Sequence, residues 1–162
     1  MTLAKRQANW VIFASFIVAL ILTIMPLPEW ARPFRPDWTA LLLIYWCMAV
    51  PNRVGVGIGW TAGLVMDVST GSLLGQHALS MALIAFITIQ FHLLLRVYPL
   101  RQQAMAVFLL LFLHQLIALW VGGFSGNPMQ SWLFMAPAFT GMLLWPWIYF
   151  ILRDLRRRFR VS

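Results

Sequence analysis

From Val54 to Leu95 the chain runs for 42 residues with a single charge, Asp67. One helix of that length would reach about 63 Å at ~1.5 Å per residue. A bilayer's hydrocarbon core is roughly 30 Å thick. The stretch must therefore fold back on itself, and Ser69-Thr70-Gly71-Ser72 supplies the turn-forming residues for it. The same uncharged pattern recurs along the chain, giving expected spans at residues 10–27, 38–52, 54–71, 73–95, 102–122 and 131–152. Composition agrees. Of the residues, 62% are hydrophobic and 10% charged, against about half and about a quarter in soluble domains. A soluble enzyme domain of this size could not hide so much apolar surface, and disorder requires the opposite balance. The fold class expected is an all-α integral membrane protein of six transmembrane helices, forming one polytopic domain.

Charge orients the spans. With six spans, Lys5, Arg6, Arg53, Arg96, Arg101, Arg153, Arg156, Arg157, Arg158 and Arg160 share one side, and only Arg32 and Arg35 lie on the other. Dropping the short second span would put Lys5 and Arg6 opposite the remaining ten. The positive-inside rule therefore places both termini in the cytoplasm. Residues 153–162 then form a basic cytoplasmic tail. Pro26-Leu-Pro-Glu-Trp-Ala-Arg-Pro lacks the small residues of a cleavage site, so the first helix is expected to stay. The net charge of +8 follows from loop and tail charge, so nucleic acid is not an expected partner.

Gly55, Gly59, Gly63, Asp67, Gly71 and Gly75 follow at intervals of four, a slowly drifting stripe on a helix. Glycines on such a stripe permit close helix approach, either inside this bundle or toward a partner's helix. At Gly71 and Gly75, near the outer turn, backbone freedom is the better reason for glycine. Asp67 is the single acid expected within a span. It serves as a cap for the following turn or helix, as a polar latch, or as an ion site. His77, His92 and His114 do not fall at metal-ligand spacing, and His114-Gln115 could bond across the bundle, with Asp67 as one partner. Cys47 is the lone cysteine and permits no intramolecular disulfide. No nucleophile elbow, phosphate loop or carboxylate pair is present, so no catalytic residue, cofactor or metal is expected. Trp10, Trp30, Trp38, Trp132 and Trp147 fall near span ends, as an aromatic belt would. The tail cations Arg153, Arg156, Arg157, Arg158 and Arg160 fit anionic lipid, a cytoplasmic protein, or simple topology enforcement.

Phe34-Arg-Pro-Asp-Trp38, Tyr45-Trp46, Pro51-Asn-Arg-Val-Gly55, the run from Gly63 to Leu79 and Leu144-Trp-Pro-Trp-Ile148 resemble the MreD family of Gram-negative rod-shape-determining proteins. The likeness runs in order over nearly the whole chain. It implies an inner-membrane, non-enzymatic member of the cell-elongation machinery that binds MreC. It also implies a link to MreB and to RodA with its penicillin-binding-protein partner, in support of peptidoglycan synthesis. The motif positions Arg35, Pro36, Asp37, Arg53, Gly55, Gly59, Gly63, Asp67, Gly71 and Gly75 carry over as structural or interface determinants. The family is distantly similar to the substrate-binding membrane subunits of energy-coupling-factor vitamin transporters, and an uptake subunit is therefore the rival expectation.

Overall fold

The computed structural model describes residues 2–25, 28–29, 35, 37–51, 53–71, 74–124 and 136–159. Among them seven helices follow one another: α1 (Thr2–Ile24), α2 (Trp38–Ala49), α3 (Val56–Thr70), α4 (Gln76–Gln90), α5 (His92–Val97), α6 (Leu100–Phe124) and α7 (Ala136–Arg158). Among the described residues all regular structure is helical. Leu100–Val121 is long and apolar enough to cross a membrane alone, and Asn9–Ile24, Trp38–Ala49, Val56–Ser69 and Gln76–Gln90 are shorter apolar helices.

Two expected boundaries move. The run 73–95 is two helices, because α4 ends at Phe91, whose N–H reaches the Ile87 and Ile89 carbonyls. His92 Nδ1 sits 2.6 Å from the same Ile89 oxygen and so competes with the helical bond pattern. The basic segment that follows Leu152 is not a separate tail at first, since α7 continues through Arg153, Arg156, Arg157 and Arg158. Arg160 lies outside the described residues, as do Trp30, Arg32, Pro36, Ser72 and residues 125–135.

The bundle is built around α2. Every residue from Thr39 to Ala49 is buried, and α1, α4, α5, α6 and α7 all pack on it. A helix that is apolar all round belongs inside a bundle, and its 12 residues would span only about 18 Å. Tyr45 is its hub, with ring centroids 5.4 Å from Trp46, 6.4 Å from Trp145 and 5.8 Å from Tyr149. Gly141 of α7 meets Leu41 and Leu111, so the last helix closes tightly on the centre. Both ends of α2 are met by side chains of the charge its dipole favours. Asp37 accepts from the Ala40 N–H at 3.1 Å, while Arg96 donates to the carbonyls of Met48 and Ala49 at 2.8 and 2.6 Å.

Large apolar side chains face outward, and a few polar ones lie within the largely apolar core. Trp10, Val68, Leu143 and Trp147 are about two-thirds exposed or more, whereas Thr39, Asp67, Ser80, Thr88, Gln103 and His114 are buried. An apolar exterior with polar side chains withdrawn into the bundle is the arrangement lipid demands.

Candidate functional site

The polar interior is concentrated where the chain turns from α3 to α4. Gly71 ends α3 with φ +70°, and Gly75 precedes α4 with φ +101°. Both are left-handed conformations that strain any residue with a Cβ. A glycine at the head of α4 offers no side chain to cap it, so the helix's first N–H groups need an acceptor from elsewhere. Asp67 supplies it. Its Oδ2 accepts from the Gly75 N–H at 2.9 Å and the Ala78 N–H at 3.4 Å, and its Oδ1 from the His77 N–H at 2.9 Å. The same Oδ1 lies 2.8 Å from His77 Nδ1.

Asp37 repeats this arrangement at the head of α2. One carboxylate oxygen caps Ala40, and the other lies 2.7 Å from His114 Nε2 on α6. The two histidine rings then face each other, their centroids 5.8 Å apart at 50°. A row Asp67–His77–His114–Asp37 thus ties α3, α4 and α6 to the start of α2. The partnership differs from the one the sequence suggested, because His114 takes Asp37 and Asp67 takes the neighbouring His77. Burial pushes the Asp37 carboxyl up. Attraction to His114, the hydrogen bond to it, His77 and the Ala40 N–H outweigh that, and hold its pKa below the ordinary carboxylate value.

Chemically, the row is a latch. Each acid holds one helix N-terminus and one imidazole. His114 Nδ1 is buried without a hydrogen-bond partner among the described residues. Among those residues no group of three or more His, Cys, Asp or Glu side chains could hold a metal ion.

The other sequence candidates are dispersed. Gly59 and Gly63 face α4 of the same chain. A Cβ at Gly59 would lie 3.0 Å from the Met81 carbonyl oxygen, and one at Gly63 would lie 2.5 Å from the Ala78 nitrogen. Gly55 is the extended residue before α3, with Ile89 nearby. Arg35 donates to the Thr23 and Met25 carbonyls, closing the end of α1. Arg53 donates to Asn9 Oδ1 at 3.1 Å, far from the latch. Arg153 lies over the Phe150 ring at 5.3 Å, with Arg156, Arg157 and Arg158 in the last turn of α7.

Comparison with known proteins decides the family. The family model described as rod shape-determining protein MreD matches residues 4–155. The chain belongs to the MreD family. It is also 33% identical over 150 residues to the rod shape-determining protein MreD of Haemophilus influenzae, covering 93% of each chain. No solved structure matches it. MreD-family membership makes this a cell-shape protein of the membrane, and its apolar helices accord with that. The Asp67 latch and both tight glycines therefore fall within the MreD-matched segment. Sequence reading missed Arg96 as the C-terminal cap of α2; it expected His114 to bond across the bundle but not to Asp37. Asp37 had a local signal, since an aspartate directly before an apolar run is a helix-start residue.

Proposed function

We propose that this chain is a non-enzymatic scaffold of the cell-elongation machinery. It spans the inner membrane six times, with α4 and α5 together forming the fourth crossing and both termini in the cytoplasm. It holds the transmembrane helix of an MreC partner and so supports the peptidoglycan synthesis that maintains rod shape. MreB, RodA and its penicillin-binding-protein partner belong to the same assembly, and the basic end of α7 meets anionic lipid. The observation that carries the reading is the family match across nearly the entire chain. The geometry supports it in a second way: the buried acids Asp67 and Asp37 are engaged in capping helices and holding histidines within the chain.

Since Gly59 and Gly63 are filled by α4, the partner helix meets a different face, on the exposed apolar sides of the bundle. In lipid such association relies on packing rather than on hydrophobicity. Co-purification of the tagged full chain with MreC tests the scaffold. Its absence under conditions that preserve the complex would favour the uptake-subunit reading, which requires saturable binding of a small molecule and an ATPase module. Reporter fusions test the topology. Gly126 should report outside, and Tyr98 and Ser162 inside; opposite results for Tyr98 and Ser162 would sink the six-span arrangement.

A further inference from the structure

A groove of about 280 Å³ lies between α1, α2 and α7. Its walls are apolar, with Val18 from α1, Leu42 from α2 and Ile148, Ile151, Leu152 and Leu155 from α7 among them. At about 100° per residue, that face of α7 continues one turn further to Phe159, with Arg156 and Arg158 at its two edges. The Phe159 N–H still reaches the Leu155 carbonyl, so the helical path holds to that point. Arg153 and Arg157 fall on the opposite face, where Arg153 lies over the Phe150 ring. We propose that the groove holds one acyl chain of an anionic glycerophospholipid of the cytoplasmic leaflet, its phosphate between Arg156 and Arg158. This deepens the lipid contact proposed above for the end of α7, and the leaflet rests on that topology.

Charge argues for this occupant. Among the described residues neither Arg156 nor Arg158 makes a hydrogen bond or an ion pair, not even with Asp154 one turn before Arg158. A guanidinium presents five donors in a fork suited to phosphate oxygens. Its apolar stem can lie along the groove mouth while its head stays at the headgroup level. Length argues the same way. From Ile148 to Phe159 the face rises about 16 Å, close to half of a ~30 Å hydrocarbon core. That fits one leaflet's acyl chain, whereas a spanning partner helix needs a seat about twice as long. Size excludes a compact ligand, since the groove is smaller than the ~300–1,000 Å³ of sites that enclose drug-sized molecules.

Native mass spectrometry of the purified full chain tests the site, with phosphatidylglycerol and phosphatidylcholine of identical acyl chains as probes. The wild-type chain should prefer phosphatidylglycerol, with about fivefold from each basic residue at the membrane surface. Arg158→Gln should cut the preference about fivefold, and adding Arg156→Gln should abolish it. Arg157→Gln removes the same charge from the opposite face and should leave the preference intact. Equal losses in Arg157→Gln and Arg158→Gln overturn the proposal, because the attraction would then belong to the whole basic end. Val18→Trp and Ile151→Trp fill the groove from facing walls at positions 55% and 63% exposed, where the core is undisturbed. Each should remove one retained lipid per chain. Unchanged retention in both, with elution like wild type, also overturns the proposal. Filled variants that keep their lipid but lose a co-purifying single-span protein would show the groove to be a helix seat instead. Glycerol 3-phosphate carries the phosphate without the chains and should not displace the lipid at equal concentration. Displacement would reduce the site to a bare anion site and overturn the acyl seat. The readout uses the chain alone, so a failure to find MreC leaves it standing and bears only on the scaffold.

Discussion

Toward α4, α3 admits no side chain at Gly63, whereas toward α1 the same helix leaves a groove of about 550 Å³. The first flank is backbone against backbone, crowned by the Asp67 carboxylate bridging to the head of α4. The second flank is side chain against side chain, with Thr61, Ala62 and Val65 looking across to Phe13 and Phe16. Contacts that fix one geometry lie on one side of the helix, and adaptable surface lies on the other. A single helix can thus anchor the bundle on one side and leave an open groove on the other.

Gly63→Ala should break the comparison most sharply. One methyl group would lie within 2.5–2.6 Å of the α4 backbone, and overpacking on that scale costs about 3 kcal/mol or more. The yield of monodisperse protein on size exclusion should collapse. Gly59→Ala, where the nearest atoms are 3.0–3.2 Å away, should be milder. Next comes Asp67→Leu. It strips the acceptor from the N–H groups of Gly75 and His77, at about 1–3 kcal/mol for each buried donor left alone. Asp67→Asn keeps an acceptor oxygen and should retain more folded protein and more rod shape. Equal loss of shape in both, at normal protein levels, would instead assign the role to ionisation.

Arg96→Ala removes the cap from the end of α2 and should lower stability by about 1 kcal/mol in a thermal or denaturant melt. The smallest effect belongs to the groove flank, where Thr61→Ala should change stability by less than about 0.5 kcal/mol. A Thr61 effect as large as that of Gly63 would abolish the distinction between the two flanks.

The turn between α3 and α4 was legible because its determinants are local. An acid, a cluster of small polar residues and two glycines fall within nine positions, and capping chemistry relates them. The row that joins it to α2 and α6 was not legible. Asp37 and His114 are 77 residues apart, and no periodicity links residues on different helices. The break at Phe91 was invisible for a different reason. Gln90-Phe91-His92 contains no proline, glycine or formal charge, and only the His92 ring at the Ile89 carbonyl explains it. The two unequal flanks of α3 needed the structure as well, since spacing alone cannot say which neighbour fills a glycine stripe.

Space is one consequence of the buried α2; time is another. Chains are made from the N-terminus, so α2 is synthesised ahead of α4, α5, α6 and α7, the four later helices that cover it. Until they arrive, α1 alone packs on α2, and 12 residues are too few to span a bilayer by themselves. The centre of the bundle is thus among the first parts synthesised and the last part finished, sealed when Trp145 and Tyr149 reach Tyr45. A chain cut short before Ala136 has made its core and lacks the means to cover it.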